Sequence, residues 1–490
     1  MLCLRAVWRR ARPAGPAGSR RWLASPPPLH RDDRDLELLR RWQDRLSLPP
    51  TPQDSRLGEE VAELLHTVVR LRRASPQSAV PDDLCAAFMA HYSRQDAEAR
   101  RAMLRRMARD FGAPSGDVAA AAARYAAAAR RGADDPTAHA AAAALAAAAR
   151  PLHAHLLAPL GAQPRGLPFL VALRADLEAA LREAPAGGGA LRALGEALRE
   201  ALAAWFGAGM LDLRRLTWEA TPAAVLERVK DAEAVHRMAG WGDLRDRLGP
   251  RRRVFALTHA AMPGEPLVVL HAALMTHAPE AMPEIINQPQ AHLPPCDPTT
   301  AVFYSISNTQ PGLARVELGH FLIKKVATEL LKEFDLQTLV TLSPLPGFAA
   351  WVNHRLLVQA RERSGTPEGD LAERLLVHLE NDAWLSCHEA EAVVRPWLMR
   401  AAAVYLLREK RRGLALDPVA AFHLKNGATC WRLNWRADVS GPGLERSHGI
   451  MVNYMYDLGS LEANNRVYVV QGKVAASEEV LRLLDTDEAS

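Results

Sequence analysis

Five cysteines in 490 residues, none spaced as C-x-x-C, leave this chain without the pattern of a zinc site or a redox pair. Cys3, Cys85, Cys296, Cys387 and Cys430 are too scattered for a disulfide scaffold and suit a reducing compartment. Cys387-His388 is a lone adjacent pair and reads as structural. No apolar run reaches the roughly 18 residues of a membrane-spanning helix. The alanine-rich blocks come closest, and Arg124, Arg130 and Arg131 interrupt them. G-K-[ST] after a glycine loop and G-x-G-x-x-G are both absent, which excludes P-loop and dinucleotide-fingerprint chemistry. The G-x-S-x-G elbow of many hydrolases is missing too.

A basic body is also lacking. The formal charge is +5, but residues 1–31 hold seven arginines and no acid precedes Asp32. Without those seven, 54 basic side chains face 56 acidic ones, so no nucleic-acid partner is expected. On a helical wheel Arg5, Arg9 and Arg12 share one side, and Leu4, Val7 and Ala11 take the other. An amphipathic, Arg-rich, acid-free start predicts a mitochondrial transit peptide over 1–31, the alternative being a basic tail with accidental periodicity.

What the chain does have falls into two textures. Residues 32–205 read as helix: Leu38, Leu39, Trp42, Leu46 and then Val61, Leu64, Leu65, Val68, Val69 recur at helical spacing. The stretch 117–150 is nearly all alanine, the best helix former, so its low complexity also means helix. This half shows no chemistry and is expected to pack on the other domain or on other subunits. From 206 to 490 the reading is mixed α/β. Strands are expected at 254–259, 266–274, 301–307 and 339–343, with helices over 316–334 and 367–411 and a loop over 280–300.

Two places in this second half carry chemistry. A strand ends at Ser307, the turn Asn308-Thr309-Gln310-Pro311-Gly312 follows, and a helix is expected near Val316. Such a loop presents unpaired N–H groups at a helix N-terminus, which suits a phosphate or diphosphate, although an ordinary strand–helix connection reads the same way. The next strand ends in LSPLPGF (342–348), placing Ser343 at a proline-fixed turn. Pro344 removes an N–H that could complete an oxyanion hole, so Ser343 reads as a hydrogen-bonding group and not as an acyl-enzyme nucleophile. Further on, DPVAAFHLKNGATCWRLNWRAD (417–438) gathers His423, Asn426, Trp431, Asn434 and Asp438. On a helix His423 and Asn426 would share a face, with Trp431 and Asn434 similarly placed beyond them. His423 titrates near neutrality and reads either as an acid–base group or as a satisfied core histidine. Tyr454 and Tyr456 alternate onto one side of an expected strand.

Six segments in order resemble the animal malonyl-CoA decarboxylase family: WFGAGMLDLRRLTWE (205–219), GEPLVVLHAAL (264–274), AVFYSISNTQPGLARVELGHFLIKKV (301–326), LSPLPGF (342–348), EKRRGLALDPVAAFHLKNGATCWRLNWRADVS (409–440) and GIMVNYMY (449–456). The resemblance implies an α+β architecture, with a helical N-terminal domain that mediates homotetramer assembly and a GNAT-type, acetyltransferase-like catalytic domain. It implies decarboxylation of malonyl-CoA to acetyl-CoA and carbon dioxide, a reaction that sets the malonyl-CoA level between fatty acid synthesis and oxidation. An acyl-CoA loop would comprise Ala314, Arg315, Val316, Glu317, Leu318, Gly319 and His320, with Arg315 where relatives often carry glycine. The family's catalytic serine, histidine and pocket tyrosine match Ser343, His423 and Tyr456. No metal and no biotin are expected, because the thioester is its own electron sink. The resemblance places the protein in the mitochondrial matrix, with the cytoplasm as a second location. The end Glu488-Ala489-Ser490 is not a Ser-Lys-Leu-type peroxisomal signal, and no cysteine between Cys85 and Cys296 matches those that link subunits in some relatives. The competing reading is a GNAT-type N-acyltransferase using the same CoA site.

Overall fold

The structure is a computed structural model that describes residues 32–47, 57–74, 80–132, 135–183, 188–287, 297–316, 318 and 322–485. The segment 1–31, with its transit-peptide expectation, and residues 488–490 lie outside the described residues. Contacts divide the chain into two compact units, Met1–His91 and Tyr92–Ser490.

Among the described residues, everything before Trp205 that has regular structure is α-helix: α1 (Asp32–Ser47), α2 (Leu57–Ala74), α3 (Val80–Ser93), α4 (Ala97–Asp110), α5 (Ser115–Ala129), α6 (Pro136–Ala149), α7 (Ala154–Gly161), α8 (Gly166–Glu183) and α9 (Gly189–Trp205). In the first unit α1 buries Leu38 and Trp42, and α2 buries Leu64, Leu65, Val68 and Val69. The alanine blocks become α5 and α6. Asp135 caps α6 by accepting from Thr137 N–H (2.8 Å), and Pro136 fits the first turn, where no N–H is needed. Helices α8 and α9 pack through Leu170, Leu173, Leu177, Leu194 and Leu198, all fully buried. No helix among the described residues is long and apolar enough to cross a membrane.

The sheet begins at Leu211. Its elements in chain order are β1 (Leu211–Leu216), α10 (Ala223–Ala232), α11 (Trp241–Arg247), β2 (Arg252–His259), β3 (Val268–Met275), α12 (Pro283–Ile286), β4 (Thr300–Asn308), α13 (Leu322–Glu333), β5 (Thr338–Thr341) and β6 (Ser343–Pro344). Then follow α14 (Phe348–Glu362), α15 (Pro367–Glu380), α16 (His388–Leu407), β7 (Lys410–Arg411), β8 (Leu414–Ala415), α17 (Pro418–Lys425), β9 (Thr429–Asn434), α18 (Gly441–Ser447), β10 (Met451–Met455), α19 (Leu461–Gln471) and α20 (Glu478–Arg482). Strand order is β1-β2-β3-β4-β5-β10-β6, with β9 on β10. The run β1 to β4 is an antiparallel meander, β4 and β5 are parallel, and β10 is antiparallel to its partners. A strand buried on both faces reads as a continuous apolar run, which is why VVLHAALM and TAVFYSIS carry so little alternation.

Four expectations change. The segment read as a loop over 280–300 contains the short helix α12 and ends on the first residue of β4. The helix placed at 316 starts at Leu322, because Arg315 has φ +62° and Leu318 N–H bonds Val316 O, a tight turn foreign to a helix. The run 367–411 is broken between Glu380 and His388, where Asp382 takes φ +48°. Trp431 and Asn434 stand on strand β9 and not on a helix with His423, since α17 ends at Lys425 and Gly427 turns the chain at φ +83°.

Candidate active site

The site forms where the parallel pair opens. Strands β4 and β5 pair from Thr300 opposite Thr338 to Phe303 opposite Thr341, and Leu342 N–H adds one more bond to Phe303 O (3.3 Å). Beyond it, β6 pairs with β10, placing Ser343 opposite Val452. Strand β4 bulges there: Ala272 faces Phe303 and His271 faces Ser305, so Tyr304 is the extra residue. A cavity of about 300 Å³ occupies the opening. Phe303 and Ser305 of β4, Val316 and Leu318 of the following loop, Ser343, and Phe422 and His423 of α17 form part of its wall.

Helix α17 is built to carry His423. Asp417 caps it, accepting from Val419 and Ala420 N–H at 2.9 Å each, and Pro418 occupies the first turn. At the other end, Gly427 lies against the start of α19. A Cβ there would come 2.0 Å from Leu461 O, so only glycine permits the approach.

His423, Ser343 and Tyr456 meet. Ser343 Oγ donates to Thr341 Oγ1 (2.9 Å), which also accepts Tyr454 N–H (3.1 Å). With its proton committed, Ser343 Oγ can only accept from His423 Nε2–H (3.1 Å). His423 Nδ1 then accepts the Tyr456 hydroxyl at 2.7 Å. The network thus selects the Nε2–H tautomer. Tyr454 stacks on the imidazole at 4.6 Å between centroids, and Phe303 meets Tyr456 edge-on at 6.2 Å. Burial drives His423 from the ordinary 6.5 to about 3, so the ring is neutral at physiological pH. It also pushes the Tyr454 and Tyr456 phenols well above their usual range.

A second polar cluster backs the β4 wall. Glu233 is fully buried and accepts from Ser305 Oγ (2.7 and 2.8 Å), Val235 N–H (2.8 Å) and His236 N–H (3.0 Å). His271 Nε2 lies 3.4 Å from Glu233 Oε2. Burial acts to raise the Glu233 pKa, but these hydrogen bonds, together with the positive charge His271 takes on in acid, outweigh it and lower the pKa.

The other expected residues divide. Val316 and Leu318 are buried on the cavity wall, whereas Ala314 and Arg315 are exposed beside it. Glu317, Gly319 and His320 lie outside the described residues. Asn426 does not join His423: its amide donates to Phe422 O (2.8 Å). Asn434 donates to Asn453 (2.8 Å) and Trp435 to Glu391 (2.7 Å), so the β9 part of that cluster is framework. Sequence reasoning missed Thr341, although it lies two residues before Ser343 and so shares its side of a strand. It also missed Glu233 and Ser305, 72 residues apart, for which no local signal exists.

Comparison with known proteins agrees with this layout. The family model described as "Malonyl-CoA decarboxylase C-terminal domain" matches residues 209–490, and the one described as "Malonyl-CoA decarboxylase N-terminal domain" matches 111–206. The mitochondrial malonyl-CoA decarboxylase of Anser anser anser is 38% identical, over 81% of this chain and 82% of that protein. The Mus musculus protein of the same name is 36% identical, over 89% of this chain and 94% of its own. The crystal structure of malonyl-CoA decarboxylase from Rhodopseudomonas palustris superposes with a TM-score of 0.74 at 35% identity, covering 87% of this chain and 99% of that one. The one from Agrobacterium vitis gives 0.74 at 34%, with the same coverage. On sequence and fold together, the chain belongs to the malonyl-CoA decarboxylase family.

Proposed function

We propose that the chain releases carbon dioxide from malonyl-CoA in the cavity between β4 and β6, through an enolate that His423 protonates. The observation that carries this reading is the hydrogen-bonded run Tyr456–His423–Ser343–Thr341, whose two middle members, His423 and Ser343, line the cavity. Cleavage of the bond between the α-carbon and the carboxylate leaves its electron pair in an enolate, with negative charge on the thioester oxygen. Fixed donors around that oxygen lower the barrier, typically by a few kcal/mol each. The proton then goes from His423 Nε2 to the α-carbon, forming the methyl group of acetyl-CoA. A neutral imidazole donates here and is left as an imidazolate, which the Tyr456 hydroxyl bonded at Nδ1 stabilises until a proton from water restores Nε2–H. Turning the Ser343 hydroxyl from Thr341 toward the cavity would let it hold the malonyl carboxylate or relay a proton.

In this reading residues 314–320 receive the CoA diphosphate and pantetheine. Val316 and Leu318 on the wall support it, and so does Arg315, whose φ of +62° is the conformation glycine adopts most readily. A GNAT-type catalytic domain over 206–490 is supported by the parallel β4–β5 pair that opens at a cavity. No metal or biotin enters the scheme. The helical domain, 32–205, would assemble a homotetramer. The names of the goose and mouse relatives, with the acid-free start, support a mitochondrial location. Such an enzyme would set the malonyl-CoA level available to fatty acid synthesis and oxidation.

Carbon dioxide release by purified protein, without added metal or biotin, tests the proposal. His423→Asn and Ser343→Ala should each lower kcat by roughly 10²-fold or more while the protein stays folded. A wild type that binds malonyl-CoA and releases no carbon dioxide would overturn it.

A further inference from the structure

Helix α8 reaches the loop that follows β4. The Arg174 guanidinium, 2% exposed, donates from Nη1 to Gly312 O at 2.5 Å and from Nη2 to Glu178 at 3.0 Å. Gly312 is held from a second side, because a Cβ there would lie 1.8 Å from Val171 O, a backbone atom that cannot swing away. The hold then passes down the chain. Gly312 is the middle of the 3-10 turn Pro311–Leu313. Ala314 N–H bonds Pro311 O (3.2 Å), Val316 N–H bonds Leu313 O (3.0 Å) and Leu318 N–H bonds Val316 O (2.8 Å). Each link fixes the next, and the last two residues lie on the cavity wall.

We infer that Arg174 is a positioning residue for the substrate loop, so that helix α8 of the helical half sets the geometry in which Ala314, Arg315, Val316 and Leu318 receive an acyl-CoA. The inference rests on the proposed role of that loop. A buried guanidinium is a poor choice for stability alone, since an apolar side chain of similar volume often packs as well or better without the desolvation cost. A rigid planar donor does what an apolar side chain cannot: it fixes one carbonyl in distance and direction. The charge also lies near Arg315, which carries the same sign and is exposed.

Arg174→Met keeps the stem and removes the donor, whereas Arg174→Lys keeps a charge and one donor. With the full chain, Arg174→Met should raise KM for malonyl-CoA about tenfold or more, the worth of one charge-assisted hydrogen bond. Inhibition by free CoA should weaken by a similar factor, kcat should stay within about twofold, and Arg174→Lys should recover a large part of the loss. A lower melting temperature with KM and CoA inhibition unchanged would reduce Arg174 to a packing role and overturn the inference. So would a fall in kcat at constant KM. If Arg174→Met does not fold, hydrogen exchange on Arg174→Lys decides: amides 312–318 should exchange faster than in wild type while those of β4 do not, and equal exchange overturns it. A wild type that binds CoA but releases no carbon dioxide would sink the proposed reaction and leave the loop readouts intact.

Discussion

At the scale of single residues, the hydrogen-bonded run Tyr456–His423–Ser343–Thr341 depends on which groups hold a proton. His423 begins neutral, with its pKa near 3, so its own titration lies far below physiological pH. kcat/KM reports ionisations of the free enzyme. Its pH profile should therefore show no acid limb near 6.5 from this ring, and a limb there that vanishes in His423→Gln would contradict the neutral assignment. Thr341 holds Ser343 while accepting the Tyr454 N–H, and nothing else among the described contacts does both. Thr341→Val, equal in shape but without the hydroxyl, should lower kcat about tenfold and cost about 1–3 kcal/mol in denaturant unfolding. Ser343 and His423 were singled out by LSPLPGF and FHLKNGA, which resemble the family's motifs, since a lone serine or histidine reads equally well as framework. Thr341 and Glu233 were not, because a threonine in a strand and a glutamate at a helix end look like ordinary framework.

Elements place these residues, and their ends matter most. α17 is fixed by Asp417 at its start and by the Gly427 contact with Leu461 at its finish. Gly427→Ala should cost more than about 2 kcal/mol, because it combines a positive φ with a backbone clash. The loss should appear as a lower denaturant midpoint and a reduced kcat, since His423 lies on the displaced helix. Strands β2 to β5 could be read from their β-branched and aromatic runs. The start of α13 at Leu322 could not, because a positive φ such as that of Arg315 leaves no mark in the spacing of apolar residues. Periodicity reports which face a residue would take on a helix and says nothing of whether a tertiary contact has bent the chain out of it.

For the whole molecule, five buried histidines contribute to its acid sensitivity. His153, His236, His271 and His448 are driven by burial from 6.5 to about 4, and His423 to about 3. Each binds its proton less readily folded than unfolded. The unfolded chain therefore takes up more protons as pH falls below 6.5, and stability falls with it. The stabilising share of these rings is fully present above about 6.5 and is lost progressively down to about pH 3–4. The melting temperature should drop across that window, and His153→Gln, away from the cavity, should make the drop shallower. An unchanged slope in that variant would argue against the burial of His153.

The sequence by itself determined the two textures, the positions of most strands and the absence of cysteine and nucleotide motifs, and its resemblance to the family singled out Ser343, His423 and Tyr456. The first three follow from composition, short-range periodicity and residue chemistry, all of which are local. Only the tertiary structure decided that those three side chains, 80 and 33 residues apart along the chain, share one hydrogen-bonded run. It alone decided that His423 is neutral, that Glu233 stands behind Ser305, and that Arg174 holds Gly312 across 138 residues. Protonation, burial and long-range hydrogen bonds depend on which segments the fold brings together, and no window of sequence contains both partners.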